Sequence, residues 1–318
     1  MTEIGYKLSS EEHSAPDLVR YARRAEDAGF AFAAISDHFH PWVDRQGESP
    51  FVWAVLGAIA QATEAMPIGT AVTCPMIRMH PGLVAQAAAT AATLLPGRFF
   101  LGLGTGENLN EHIFGDRWPS VAERRAMLEE AIFIIRRLWE GKMTKESGTY
   151  YEVVDARLYS LPDEPPPVYV AGSGKRSAEL AGHLGDGFIG LQPDPSIIAA
   201  FDRAASSPKP HYAEVQVCWA EDEAAARRTA TEWWPNAGTP GELVAELPLP
   251  RHFEQDATRT SEDDIAKAVV CGPDPEAHLA RIREYADAGY DHVWVHQIGP
   301  DQQGFFRFYE QQVLPKLG

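Results

Sequence analysis

The stretch PVYVAGSGKRSAELAGHLGDGFIGL, residues 167–191, contains a complete strand–helix–strand unit. The apolar run PVYVAG (167–172) leads through a turn of small residues into a helical pattern, and GFIGL (187–191) follows as a second apolar run. A helix between two strands returns the chain to the edge where the first strand began, so the two strands run parallel. This segment therefore predicts a parallel sheet flanked by helices.

The same alternation of strand and helix continues along the chain. Helical patterns follow most of the predicted strands, as at 16–29, 81–95 and 123–141. Eight such units in a chain of 318 residues favour a closed (β/α)8 barrel, a TIM-type barrel formed as one domain over residues 1–318. The alternative is an open doubly wound sheet, but its GxGxxG fingerprint is reduced to GxGxG in GLGTGENLN (102–110). The predicted strands are EIGYKL (3–8), FAAIS (32–36), PIGTAVT (67–73), RFFLGLG (98–104), PVYVAG (167–172), GFIGL (187–191), AEVQVCW (213–219) and HVWVHQ (292–297).

Two insertion segments interrupt the repeat. Residues 142–166 predict a short β-excursion between the fourth helix and the fifth strand. Residues 235–260 are rich in proline and glycine and predict a long loop or lid between the seventh and eighth strands. Long ordered loops on a barrel usually serve function.

The composition narrows the possible partners and the compartment. A net charge of −17 repels nucleic acid and anionic membranes, so neither is an expected partner, and a small-molecule substrate is expected. The three cysteines, Cys74, Cys218 and Cys271, show no CxxC spacing, which argues against a disulfide framework or a zinc site. MTEIGYKLSS (1–10) does not resemble a signal peptide, and no apolar run is long enough to span a membrane. These features predict a cytoplasmic protein.

The barrel prediction also locates the site, because barrel enzymes carry their chemistry at the C-terminal ends of the strands. Polar and small residues follow several of the predicted strands at this position. These strand-end residues are Asp37 and His38, Ala71 to Thr73, Gly104 to Glu107, Ala171 to Gly174, and His296 with Gln297.

SDHFHPW (36–42) allows three interpretations. A metal site would use Asp37, His38 and His40, but in an extended strand position 37 points away from the face shared by 38 and 40. Alternatively, Asp37 caps the chain and His38 is a structural histidine. The favoured interpretation is catalytic and includes no metal: His38 acts as an acid or base near neutral pH, and Trp42 supplies an apolar wall.

Two further stretches suggest ligand contacts. In GTGEN (104–108), glycines allow the backbone to approach a ring or a phosphate, and Glu107 would hold a proton if the mouth is apolar. The alternative for Glu107 is a solvated loop side chain. The backbone N–H groups of 172–175, with Lys175 and Arg176, would attract a phosphate at a helix N-terminus, unless this is a plain β–α turn.

Four of these motifs together resemble the luciferase-like monooxygenase superfamily. They are DHFHPW, GTAVTCPMIRMHPGLVAQAAAT, PGRFFLGLGTGENLNE and PVYVAGSGKRSAELAGHLGDGFI, and the resemblance runs from about residue 4 to 315. They are most similar to the branch that uses the deazaflavin coenzyme F420, which contains glucose-6-phosphate and secondary-alcohol dehydrogenases. The resemblance implies a homodimer of (β/α)8 barrels and hydride transfer between a substrate carbon and C5 of the deazaflavin.

The resemblance also implies a role for individual residues. His38 would serve as the base beside the reacting carbon, Trp42 would line the substrate pocket, and Glu107 would assist protonation of the reduced coenzyme. A non-proline cis peptide would fall between Ala71 and Val72. The implied coenzyme-binding set is Asp37, Ala71, Val72, Thr105, Gly106, Asn110, Ala171, Gly172, Ser173, Gly174 and Lys175.

The chain departs from the sugar-phosphate members of this branch, which hold the substrate phosphate with two lysines and an arginine. The matching positions are Asp194, Ala268 and the lysine-free stretch TPGELVAELPLP (239–250), although Lys267 and Arg259 lie close by in sequence. A carboxylate in place of a cation disfavours a dianion, so we expect a neutral alcohol or carbonyl substrate. The alternatives are an F420-dependent sugar-6-phosphate dehydrogenase, an FMN-dependent monooxygenase, and an F420-binding protein without turnover.

Overall fold

The computed structural model describes residues 2–317 and forms a parallel β-barrel surrounded by helices. The strands are β1 (Glu3–Leu8), β2 (Phe32–Ile35), β3 (Ile68–Thr70), β4 (Phe99–Leu103), β5 (Thr144–Ser147), β6 (Glu152–Ala156), β7 (Val168–Ala171), β8 (Gly187–Gly190), β9 (His211–Cys218), β10 (Val270–Cys271) and β11 (His292–Gln297). Eight of them close into a ring in the order β9, β11, β1, β2, β3, β4, β7 and β8, with β8 pairing back to β9.

This closure confirms the predicted (β/α)8 barrel and excludes the open sheet. Strands β7 and β8 pair in parallel, with Tyr169 opposite Gly187, as the opening stretch predicted. The two-residue strand β10 pairs in parallel with Val217 and Cys218 of β9, beyond the residues that pair with β8, and was not predicted. Strand β3 ends at Thr70, earlier than predicted, and Thr73 keeps only an isolated bridge to Leu103.

Helices cover the barrel, and their ends follow local sequence signals. Helix α5 begins with a capping box in which Ser120 and Glu123 satisfy each other's backbone N–H groups, and α12 ends at Gly289 with φ 109°. The predicted helices at 16–29, 81–95 and 123–141 are present with shifts of one or two residues. The helices are α1 (Ala15–Asp27), α2 (Val52–Ala62), α3 (Pro81–Leu94), α4 (Asn108–Glu111), α5 (Val121–Trp139), α6 (Lys175–Leu184), α7 (Pro195–Ala204), α8 (Glu223–Trp233), α9 (Leu243–Glu246), α10 (Pro250–Ala257), α11 (Glu262–Ala268), α12 (Pro275–Ala288) and α13 (Gln302–Phe308).

Aromatic side chains fill part of the barrel interior. Phe32, Phe100, Tyr169, Tyr212 and Trp294 form one buried cluster, within which the rings of Tyr169 and Tyr212 stack at 4.7 Å. The barrel is therefore a packed core and not a pore. The polar side chains described below lie at the C-terminal ends of the strands.

The two insertion segments differ from each other in how well the sequence predicted them. The first contains the antiparallel hairpin β5–β6, as expected, and Glu130 of α5 accepts the N–H groups of Thr149 and Tyr151. The second was predicted as a long loop or lid, and in place of an irregular loop it contains a 3-10 turn (Pro235–Gly238) followed by α9 and α10. Proline is compatible with the first turn of a helix. Apolar residues of this segment are buried, such as Phe253 in a cluster with Trp42.

No helix within residues 2–317 is both long enough and apolar enough to cross a membrane.

Candidate active site

His38 lies in the loop after β2, with both ring nitrogens close to oxygen atoms. Nδ1 is 3.1 Å from the carbonyl oxygen of His40, and Nε2 is 3.3 Å from Oε1 of Glu11. Because a carbonyl oxygen only accepts, Nδ1 carries a hydrogen, and Nε2 is the nitrogen that gains or loses a proton. A carboxylate beside Nε2 stabilises the protonated ring, so the pair can accept a proton from a substrate.

The sequence analysis missed Glu11, which follows β1. Its side chain is buried and accepts hydrogen bonds from the hydroxyls of Ser9 and Ser36. Burial favours the neutral acid, but His38 and Lys7 outweigh it and hold the pKa of Glu11 below its usual value. Glu11 is therefore ionised beside His38. The strand-end rule would have found it if it had been applied to the first strand.

Trp42 forms a wall next to His38. Their ring centroids are 4.9 Å apart, and Phe253 of α10 contacts the indole edge-on at 5.2 Å. Trp42, Leu109, Trp234 and Phe253 belong to one buried apolar cluster. The segment 235–260 thus packs over the mouth of the barrel and shields the His38 loop from water.

Asp37 lies in a buried ion cluster. Its Oδ2 accepts a hydrogen bond from the hydroxyl of Thr73, and its Oδ1 is 2.8 Å from Nη2 of Arg78. Glu111 contacts Arg78 twice. Its Oε1 lies 3.6 Å from Nε of the guanidinium, and its Oε2 accepts the backbone N–H of Arg78 at 2.8 Å. Burial raises the pKa of Glu111 against the opposing effect of Arg78.

This cluster, Asp37–Arg78–Glu111, joins the ends of β2 and β3 to α4. The side chains of Asp37 and Glu111 have no exposed surface, and that of Arg78 is 6% exposed. A direct contact between Asp37 and the coenzyme stays a prediction, and the geometry adds a role in fixing the two loops. Arg78 and Glu111 were missed because their partners are distant in sequence.

Asn110 connects the His38 loop to Glu107. Its side-chain oxygen accepts the N–H groups of Phe39 (2.8 Å) and His40 (3.2 Å), and its nitrogen donates to Oε2 of Glu107 at 3.3 Å. Glu107 is partly exposed, so its carboxylate remains accessible from the mouth. The structure thus brings His38 and Glu107 into one hydrogen-bonded unit, as their shared position at the strand ends suggested.

The peptide bond between Ala71 and Val72 is cis, at the position that the family resemblance implied. Lys7 donates to the carbonyl oxygen of Ala71 at 2.7 Å and so fixes this bond from inside the barrel. A Cβ at Gly104 would lie 2.7 Å from Cγ2 of Val72, so the backbone of Gly104 lies close against the Val72 side chain. Half-buried Ala71, Val72 and Thr105 therefore border a surface suited to a flat ring.

The turn before α6 provides a weaker set of N–H donors than predicted. The N–H of Gly172 donates to the carbonyl oxygen of Ile189 at 3.0 Å, which removes it from the predicted phosphate-binding donors. Gly174 is the N-cap of α6 and has no side chain that could accept the first N–H groups of the helix. The first hydrogen bond within the helix runs from the N–H of Ala178 to the carbonyl oxygen of Gly174, so the N–H groups of residues 175–177 lie before it. Exposed Lys175 adds a positive charge, and Arg125 donates to the hydroxyl of Ser177 at 3.3 Å.

These side chains combine a shielded proton acceptor, a second carboxylate and an anion-attracting turn in one barrel mouth. Among residues 2–317, no group of three or more histidine, cysteine or acidic side chains has an arrangement that could hold a metal ion.

Comparison with known proteins identifies the family. A model of the luciferase-like monooxygenase family matches residues 1–292. The chain belongs to this family. Its curated relatives include proteins named F420-dependent glucose-6-phosphate dehydrogenase from Beutenbergia cavernae (38% identical, 100% of this chain and 98% of that protein) and Amycolatopsis mediterranei (37%, 100% and 99%).

A solved structure is also similar to this luciferase-like chain over nearly its whole length. It is an F420-dependent secondary alcohol dehydrogenase in complex with an F420–acetone adduct, with a TM-score of 0.91, 31% sequence identity and 98% coverage of each chain. That protein therefore shares the barrel found here. Membership of the family defines neither the substrate class nor the individual site residues of this chain, and these stay proposals.

Proposed function

We propose that this chain is a coenzyme F420-dependent oxidoreductase that transfers a hydride between the carbon of a neutral alcohol or carbonyl compound and C5 of the deazaflavin. The observation that carries the proposal is the buried pair of His38 and Glu11 at the barrel mouth, with Nε2 and the carboxylate 3.3 Å apart. The relatives named as F420-dependent dehydrogenases support the choice of coenzyme.

The residues at the mouth fit such a coenzyme. When bound, F420 supplies a deazaflavin ring that accepts or donates a hydride at C5. The cis peptide of Ala71–Val72, with Thr105 and Gly106, would support the flat ring. The N-terminus of α6, with Ser173, Gly174 and Lys175, would hold the phosphate, and the N–H of Gly172 is not part of this donor set.

The chain's own groups then perform the proton transfers. Nε2 of His38 takes the hydroxyl proton of an alcohol as the hydride leaves, and Glu11 stabilises the imidazolium that forms. Glu107 exchanges a proton on the coenzyme side and is oriented by Asn110. Trp42 and Phe253 exclude water, which strengthens these electrostatic interactions.

The proposed substrate carries no phosphate. Asp194, where a lysine would hold a phosphate, instead caps α7 by accepting the N–H of Ser196 at 2.8 Å. Lys267 is 75% exposed and pairs with Asp264 at 2.7 Å, and Arg259 is 83% exposed. The exposure of these two side chains supports a substrate without a phosphate.

The second candidate is a sugar-6-phosphate dehydrogenase, since the curated relatives carry the name of glucose-6-phosphate dehydrogenase. A screen that follows deazaflavin absorbance separates the two, with glucose-6-phosphate and a small secondary alcohol in the same plate. We expect turnover with the alcohol. Turnover with the sugar phosphate alone would overturn the substrate class, and tight binding of FMN without binding of F420 would overturn the coenzyme.

Reversing the charge at the α6 turn tests the phosphate site. We expect Lys175→Glu to weaken F420 binding about five- to tenfold, because a carboxylate would stand where the helix N-terminus attracts an anion. Lys145→Glu, the same change on the exposed strand β5, is the matched control and should leave the affinity unchanged. Fluorescence titration measures both affinities. Equal affinity of the two variants would place the phosphate elsewhere.

Glu107→Gln tests the acid on the coenzyme side. The amide keeps the size of the side chain but cannot exchange the proton, so turnover should fall about 100-fold while F420 affinity changes little. Steady-state kinetics and a binding titration on the same preparation give the two quantities. An unchanged turnover would remove Glu107 from the mechanism.

The homodimer, the cytoplasmic location and the single domain stay predictions of the sequence.

A further inference from the structure

His296 lies at the C-terminal end of β11 and has no task in the mechanism above. Its side chain is 1% exposed, and the ring of Trp234 covers it edge-on at 4.4 Å. Nε2 lies 2.8 Å from Oε2 of Glu12, and Nδ1 lies 3.7 Å from Oε1 of Glu214. Nε2 forms a hydrogen bond with Glu12, whereas Nδ1 has no hydrogen-bond partner and only faces the carboxylate of Glu214. The His296 ring thus lies between two carboxylates, one of them within hydrogen-bonding distance, whereas His38 faces a single carboxylate at 3.3 Å. The geometry therefore favours a charged imidazolium.

The charges around His296 support this assignment. Burial opposes a charge on the ring, but Glu12 and Glu214 outweigh it and raise the pKa of His296 to about 9. Burial also opposes the charge of Glu214, but Lys7, 3.4 Å away, and His296 together hold the pKa of Glu214 well below its usual value. His13 is also buried, and burial lowers its pKa, so it stays neutral. The covering residue Trp234 carries no charge.

This buried network is connected to the proton acceptor through two consecutive residues. Glu11 and Glu12 follow β1, and Glu11 faces His38 while Glu12 faces His296. The other carboxylate oxygen of Glu12 accepts the N–H of Gly299 at 2.8 Å, which fixes the loop. His296 is therefore placed to act on His38 through this loop and through its charge.

The sum of the buried charges depends on whether His38 carries a proton. It contains the three carboxylates of Glu11, Glu12 and Glu214 and the two cations Lys7 and His296. One negative charge is therefore in excess as long as His38 is neutral. When His38 gains a proton, the buried charges balance.

We propose that His296 is a positioning residue that sets the proton affinity of His38, by supplying the second buried cation and by holding Glu12 next to Glu11. The inference rests on the proposed function. In alcohol oxidation the substrate C–H and O–H bonds break and C=O forms. The hydride goes to the coenzyme with its electron pair, and the hydroxyl proton goes to Nε2 of His38. Without the charge of His296, two negative charges would be in excess, and His38 would hold its proton more tightly.

The test measures the titration of His38 directly in the free protein, by NMR of the ¹³Cε1-labelled histidine rings. The signal of His38 is the one that disappears in His38→Ala. We expect His296→Gln to move the titration midpoint of His38 upward by about one pH unit, and Glu12→Gln to move it downward. A merely structural role would not give shifts of opposite sign. His292→Gln, the same change at the far end of β11, is the matched control and should leave the midpoint unchanged.

Unchanged midpoints in His296→Gln and Glu12→Gln, or shifts of these two variants in the same direction, would overturn the inference. If His296→Gln does not fold, Glu12→Gln and Glu214→Gln decide instead. Each removes one carboxylate of the network and should lower the midpoint, and an unchanged midpoint in these two variants would overturn the inference. Failure of the proposed function would be seen separately, as wild-type protein that does not reduce F420 with any alcohol. The titration needs neither coenzyme nor substrate, so the two failures are distinguishable.

Discussion

We expect His38→Ala to lower turnover by about 10²- to 10⁴-fold, the range by which a positioned general base accelerates a reaction. The imidazole is the group whose Nε2 lies 3.3 Å from Glu11, and alanine leaves the substrate hydroxyl without a proton acceptor. The affinity for F420 should change little, because His38 acts on the substrate side. Steady-state kinetics with the alcohol found in the screen, together with a fluorescence titration of F420, measure the two effects.

The matched control for this prediction is His183→Ala, on the exposed face of α6. It removes the same side chain and should leave turnover unchanged. If His38→Ala also retains full turnover, the base lies elsewhere and the proposed proton transfer is wrong. If it instead abolishes F420 binding, the role of His38 is in the coenzyme site.

The second large effect concerns stability. We expect Arg78→Ala to lower the free energy of unfolding by about 3–5 kcal/mol, because it leaves the carboxylates of Asp37 and Glu111 buried without their cation. Both carboxylates have no exposed surface, so water cannot replace the guanidinium. Denaturant unfolding, followed by circular dichroism, measures the loss.

An exposed pair provides the comparison. Arg136→Ala removes the guanidinium 3.0 Å from Asp186, where both side chains are more than 40% exposed. Solvent screens such a pair, and we expect a loss of at most about 1 kcal/mol. A loss of similar size in the two variants would show that the Asp37–Arg78–Glu111 cluster does not depend on its buried charge.

The sequence was most informative where the residues that determine a feature are close together in the chain. The unit 167–191 predicted the parallel pairing of β7 and β8, because the hydrophobic pattern and the connecting helix lie within it. The strand-end rule then placed His38 and Glu107 in one mouth, and the structure links them through Asn110. The cis peptide at Ala71–Val72 came from the family resemblance and not from the local pattern.

The segment 235–260 shows where local pattern was misleading. Its prolines and glycines suggested a loop, whereas Phe253 of α10 packs on Trp42, and the last residue of α9, Glu246, accepts a hydrogen bond from the side chain of Asn108. Trp42 and Asn108 are both far away in sequence. Gly172 is a similar case. A turn of small residues before a helix suggests free N–H donors, but strand β8 supplies an acceptor for this one.

By itself, then, the sequence determined the barrel class, because this follows from the period of apolar residues and from the order of strands and helices. It also predicted the end of the barrel at which the candidate site lies. Only the tertiary structure decided how the charges are paired. Glu11 meets His38, Arg78 bridges Asp37 and Glu111, and His296 lies between Glu12 and Glu214. The physical reason is that an ion pair depends on distances of about 3–4 Å between side chains, and barrel closure sets those distances between residues that are far apart in the chain.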